Sequence, residues 1–390
     1  MRTRLDAIPA ALLGLLLLAA GPASAQQTAA APSAAEPADT TRLTLGGYLE
    51  TFYSYNFNRP TNDLTAFRGF DNRSDTFTIS NVVADASWAS KTVSGHVVLQ
   101  AGHTPETYYL AEPSLPATGG AGASDTEAWK HVQQANLGWR TGIGRGLQLE
   151  AGIFLSPIGP EAIAVKDNWN WSRSDLFFGL PFYHTGLRAN YPASDRLTLT
   201  AAVYDGWNSV TDNNRNKSIS VQAVYAATDK LTASALYFGG VERPTGAPEG
   251  QPWRNLFDGH VSVAVTPRLS AQLHVDGGFE NNTFGRSEWF ATAVAARVQA
   301  APWLYLAARG DVFREGVAAN ELGTASAIFW PADRVSSATF TLDARPREKL
   351  SIRLEYRHDS ASGPMFFGED PETPDRNSQD TVTLGMAAWF

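Results

Sequence analysis

The sequence predicts an all-β fold: one transmembrane antiparallel β-barrel of about 16 strands, with short periplasmic turns and long extracellular loops. Three observations carry this. Apolar and polar residues alternate with a period of two through most of the chain, the connections between those segments are short and long in turn, and the last residue is an aromatic that closes an alternating run. Period-two alternation marks strands with one apolar and one polar face, and short turns opposite long loops are the asymmetry of an outer-membrane barrel.

The chain opens with Arg2 and Arg4, an apolar run over Ile8 to Ala20, and the small-residue sequence Ala23-Ser24-Ala25. That pattern predicts a secretory signal peptide over 1–25, since the run is too short to span a bilayer as a helix. The following stretch over 26–41 is Ala, Pro, Ser, Thr and Glu without an aromatic, and it predicts a disordered N-terminal tail. The barrel then occupies 42–390.

Its first strand, Arg42 to Phe57, sets Leu43, Leu45, Leu49, Tyr53, Tyr55 and Phe57 on one parity and Thr44, Tyr48, Glu50, Ser54 and Asn56 on the other. Strands follow near 75–89, 92–102, 131–140, 146–156, 181–191, 195–206 and 217–227, then 230–239, 253–266, 268–278, 287–299, 303–313, 334–344, 348–357 and 379–390. In the penultimate one Leu350, Ile352, Leu354 and Tyr356 alternate with Ser351, Arg353, Glu355 and Arg357. Arginine facing lipid at mid-depth costs about 2–4 kcal/mol, so the charged parity faces a wet interior. The last strand alternates Val382, Leu384, Met386, Ala388 and Phe390 with small or polar residues, and its terminal Phe390 suits recognition by outer-membrane assembly machinery. Tight links fall near 90–91, 141–145, 192–194, 228–229, 267, 300–302 and 346–347. Long ones fall at 58–74, 103–130, 157–180, 207–216, 240–251, 279–286, 314–333 and 358–378. Aromatic residues gather at strand ends, as they do at headgroup depth.

Composition removes other classes. With no cysteine among 390 residues there is no disulfide scaffold, thiolate zinc site or catalytic cysteine. A formal charge of −8 lacks the basic footprint that nucleic acid requires. The seven histidines show no metal-ligand spacing, no nucleophile elbow or phosphate loop is present, and no cofactor or metal is expected.

A ring of sixteen strands is too wide for side chains to fill and leaves an aqueous channel. The third long loop, Pro157 to Leu180, follows the fifth strand, where it resembles the inward-folding loop of sixteen-stranded general porins; that resemblance makes it the expected constriction, with Glu161, Lys166, Asp167, Arg173 and Asp175 bringing both charge signs into the lumen, the alternative being an outer loop packed by Trp169 and Trp171 on the barrel rim. Trp169 and Trp171 in it offer faces for stacking a solute. Parity points Arg297, Arg309, Asp311, Arg353, Glu355 and Arg357 inward as the facing pore wall, giving a transverse field or a wall stiffened by paired charges.

Several longer segments resemble the OmpL-like group of outer-membrane β-barrel porins: Gly47 to Pro60, Phe67 to Arg73, Gly102 to Tyr108, Leu155 to Glu161, Val165 to Arg173, Phe177 to Gly186, Tyr204 to Val210 and Gly239 to Pro244. The resemblance implies a pore but names no solute and assigns no catalytic residue. The expected function is therefore passive diffusion of small hydrophilic solutes or ions through a barrel in outer-membrane lipid, with a homo-oligomer left open. The rivals are a closed barrel for surface interaction or adhesion and, more remotely, a barrel hydrolase acting through a lumen histidine.

Overall fold

A computed structural model describes residues 41–110, 127–212, 214–370 and 372–390, and side chains within these except those of 108–110 and 127–128. The expected leader, nearly all of the tail and the middle of the second long loop lie outside the described residues. The strands are β1(Arg42–Asn56), β2(Thr76–Ala89), β3(Val93–Ala101), β4(Val132–Arg140), β5(Gln148–Leu155), β6(Tyr183–Pro192), β7(Leu197–Tyr204), β8(Ser218–Thr228) and β9(Leu231–Val241). They continue as β10(Trp253–Ala264), β11(Leu269–Asn282), β12(Gly285–Ala301), β13(Leu304–Gly316), a small hairpin β14(Ala319–Asn320) and β15(Gly323–Thr324), then β16(Arg334–Arg347), β17(Leu350–Ala361) and β18(Ser378–Trp389).

Every strand outside that hairpin pairs antiparallel with its neighbours in chain order, and β1 pairs with β18 to close a ring of sixteen. The closing register runs from Tyr48 opposite Trp389 to Asn56 opposite Thr381. Closure leaves no unpaired edge, the condition for a sheet to stand in hydrocarbon.

Alternation in the sequence becomes two surfaces. On β17, Ile352, Leu354 and Tyr356 are exposed outward, whereas Ser351, Arg353, Glu355, Arg357 and Asp359 are buried on the inner face. The outer face carries exposed aromatics in two bands: Trp139, Trp303 and Phe390 at the end with the short turns, and Phe57, Phe77 and Trp253 at the end with the loops. One connection departs from the expected alternation. The link expected over 279–286 is a two-residue turn, because β11 continues to Asn282 and β12 starts at Gly285; Asn282 Oδ1 accepts the Phe284 amide at 2.9 Å and tightens it.

The long connections carry short elements: a helix α1(His103–Leu110), 3-10 turns at Glu127–His131 and Val165–Asp167, and a helix α2(Asp175–Phe178). Ser174 caps α2 by accepting the Phe177 amide.

Candidate functional site

The segment 157–182 starts on β5 and returns on β6, yet its partners are on strands across the ring. At its root, Gln222 of β8 donates to the Pro157 carbonyl at 3.1 Å, and the Gly159 amide donates to Asp258 Oδ1 of β10 at 3.3 Å. Gly159 has φ of +75°, and a Cβ there would lie 2.9 Å from the His274 ring, so glycine is required both for the turn and for the approach. His274 is in turn bonded to Asp258 at 2.5 Å.

Farther along, inner-face charges read the segment's peptide groups. Glu50 of β1 accepts the Val165 amide at 2.6 Å. Glu355 of β17 accepts the Trp171 amide at 2.5 Å, the Ser172 amide at 2.9 Å and the Thr341 hydroxyl at 2.7 Å. Arg353 donates to the Asn168 and Asn170 carbonyls, each at 2.8 Å. Arg309 of β13 donates to the Ser172 carbonyl at 2.7 Å and to Glu161 at 2.9 Å, and also holds Asp311 at 3.0 Å. Asp311 accepts the Asp175 amide at 2.9 Å, and Arg357 bridges Asp175 and Asp359 at 2.7 and 2.6 Å. Buried charges cost several kcal/mol unless paired and fully hydrogen-bonded, and here the segment's backbone supplies what the wall needs. Burial, reinforced by the facing Asp311 carboxylate, holds the Asp175 carboxyl well above its ordinary range, against the pull of Arg357.

The residues singled out from sequence divide into groups. Glu161 and Asp175 are bonded to the wall at Arg309, Asp311 and Arg357. Arg173 instead turns back on its own segment, donating to the carbonyls of Ala162, Ile163 and Trp171, with Phe70 5.1 Å from its guanidinium. Lys166 and Asp167 pair with each other at 2.8 Å and stay partly exposed. Trp171 is 1% exposed, against Phe52 and over Gly385, where a Cβ would fall 2.3 Å from its ring. Both of its faces are thus taken by protein. Trp169 is half-buried and lies over Arg297, 5.2 Å from its guanidinium. A cavity of about 30 Å³ opens between this segment and β11–β13, lined among others by Glu161, Asp167, Trp169, Gln272, His274 and Arg309.

Glu50, Asp258 and Asn170 anchor the segment as well, although the sequence does not single them out. Glu50 has the inner parity of β1 and Asp258 that of β10, so parity alone was the available signal; Asn170, which donates to Thr341 at 2.7 Å, had none. An apolar cluster at the loop end is likewise not expected from the sequence. Phe154, Tyr204, Phe238, Leu256, Trp289 and Phe313 of the wall pack with Ile158, Leu176 and Leu180 of the same segment and with Trp330, Met365 and Phe366 of two later loops. Glu315 pins one of those loops by accepting the amides of Phe329 and Trp330, each at 3.0 Å. Among the described residues no cluster of three or more His, Asp or Glu is arranged to hold a metal ion.

Against known proteins, the profile of the family described as "Putative beta-barrel porin-2, OmpL-like" matches residues 42–390. No curated protein sequence matches. Among solved structures, the chain is similar to the trimer form of OmpT, an outer membrane protein of Vibrio cholerae, at 10% identity over 90% of this chain and 100% of that one, with a TM-score of 0.57. It is similar to the outer membrane channel DcaP of Acinetobacter baumannii at 14% identity over 90% and 97%, TM-score 0.55. An anion-selective porin from Comamonas acidovorans matches at 9% identity over 90% and 100%, TM-score 0.57. At these identities the structural likeness establishes a shared fold.

Proposed function

The chain belongs to the OmpL-like β-barrel porin family and is an integral barrel of the bacterial outer membrane, and from that premise we propose that it passes small hydrophilic solutes or ions by passive diffusion through a lumen narrowed by the segment 157–182. The observation that carries this is the set of bonds from Glu50, Arg309, Arg353, Glu355 and Arg357 to that segment's peptide groups and carboxylates, which join it to strands across the ring. Selection then falls to the groups left wet beside it, Lys166, Asp167 and Arg297, by size and by charge. No catalytic step is part of this reading.

The barrel reaches the membrane through the outer-membrane assembly machinery, with β18 and the Phe390 that follows it as the recognised segment; a homo-oligomeric barrel is in keeping with the trimer form of one structural neighbour. A second reading, a closed barrel used for surface interaction, is favoured by one observation: the apolar cluster that joins wall and loops at the loop end.

The test is reconstitution of the chain in a planar lipid bilayer, with conductance and reversal potential recorded across a KCl gradient. Stepwise openings, with a reversal potential displaced in Asp167→Ala, are expected. Silence from a folded barrel would refute the diffusion reading in favour of the closed barrel.

A further inference from the structure

Arg297 differs from the inner-face arginines of β10, β13, β16 and β17. Arg254, Arg309, Arg345, Arg353 and Arg357 each reach a carboxylate within 3.6 Å. Arg297, half-buried on β12, has neither a hydrogen-bond nor an ion-pair partner among the described residues. Its guanidinium lies instead 5.2 Å from the Trp169 ring of segment 157–182 and 5.1 Å from the Tyr305 ring of β13. A second guanidinium, Arg345 from β16 on the other side of β13, lies 5.1 Å from the same Tyr305 ring. Arg345 has committed its Nε and Nη2 to Asp343, each at 2.9 Å.

Aromatic faces stabilise a guanidinium without accepting its N–H groups, so the planar donor edge of Arg297 has no protein acceptor among the described residues. Two carboxylates of segment 157–182 are engaged elsewhere, Glu161 by Arg309 and Asp167 by Lys166, and Asp343 is held by Arg345. A planar edge with paired donors matches a carboxylate bidentately, and an anion beside two neighbouring guanidiniums also relieves their mutual repulsion. Trp169 further connects this position to the cavity lined by Gln272 and Ala295.

We propose that Arg297, held between Trp169 and Tyr305 and backed by Arg345, is a binding subsite for the carboxylate group of a small organic anion. The Trp169 and Tyr305 rings orient the guanidinium, while its edge takes the anion; the apolar part of the solute lies along Trp169. The subsite rests on the channel reading for its place on a permeation route, whereas binding itself can be measured without it.

The experiment titrates the folded full-length barrel in detergent, at constant ionic strength, with sodium acetate, with neutral acetamide and with inorganic phosphate, following tryptophan fluorescence; Trp169→Phe identifies the reporter. Saturation by acetate and none by acetamide is expected, with affinity at least about tenfold weaker in Arg297→Met and intermediate in Arg297→Lys, which keeps the charge but loses the fork. Retained heat-modifiable migration shows that each variant is folded. No saturation in wild type, equal affinity in Arg297→Met, or phosphate binding as tight as acetate would overturn the proposal. Conductance without acetate saturation would sink the subsite and leave the channel standing; acetate saturation in a barrel that never conducts would do the reverse.

Discussion

Removing Glu355 is the sharpest perturbation of the segment 157–182. Its carboxylate, 2% exposed, accepts two amides of the segment, from Trp171 and Ser172, and the Thr341 hydroxyl. Glu355→Ala leaves three buried donors without an acceptor, at roughly 1–3 kcal/mol each before water enters. Even the lower sum, about 3 kcal/mol, shifts the ratio of docked to undocked segment by more than about 100-fold. Glu355→Gln keeps one acceptor oxygen and should fall between. The readout is trypsin cleavage after Arg173, which is 1% exposed while the segment is docked, run beside single-channel recording. Cleavage at Arg173 and a larger, noisier conductance are expected in Glu355→Ala. If the folded variant resists trypsin and conducts like wild type, the wall does not hold the segment through this carboxylate and the reasoning is refuted.

Other outcomes follow from the same geometry. Gly385→Ala places a Cβ 2.3 Å from the Trp171 ring and should lower stability by about 1–3 kcal/mol through overpacking, seen as a lower Tm in detergent; an unchanged Tm would mean the ring moves freely. Trp330→Ala removes a 4% exposed side chain from the apolar cluster at the loop end and should raise conductance, while an unaltered current would show that this cluster does not obstruct the route. Asp258→Asn weakens both the His274 contact and the acceptor of the Gly159 amide, and should increase open-channel noise; a quiet trace equal to wild type would count against the root of the segment as a hinge. Phe390→Ala, at an exposed position whose amide bonds the Gly47 carbonyl at 3.1 Å, should cut the yield of membrane-inserted barrel far more than the Tm of what does insert; equal losses would argue for a packing role.

The barrel can be read along the chain, because a strand between lipid and a polar interior must alternate at every step and its charges cannot face hydrocarbon. Leu350 to Arg357 shows this without any partner strand, and counting such runs leads to the ring of sixteen that the pairing of β1 with β18 closes. Parity likewise put Arg309, Arg353, Glu355 and Arg357 on the inner face, since it depends only on the period of two. The same local signal failed between β11 and β12, where strands continuing to a two-residue turn read as a loop. Which inner charges are spent and which are left is settled by contacts between distant parts of the chain. Arg309 and Arg357 are matched to Ser172 and Asp175 more than a hundred residues away, while among the described residues Arg297 lies against the rings of Trp169 and Tyr305. Those pairings depend on which inner-face residues the segment 157–182 lies against, and that is fixed by contacts such as Trp171 over Gly385 and Gly159 against His274, which no periodicity along the chain encodes.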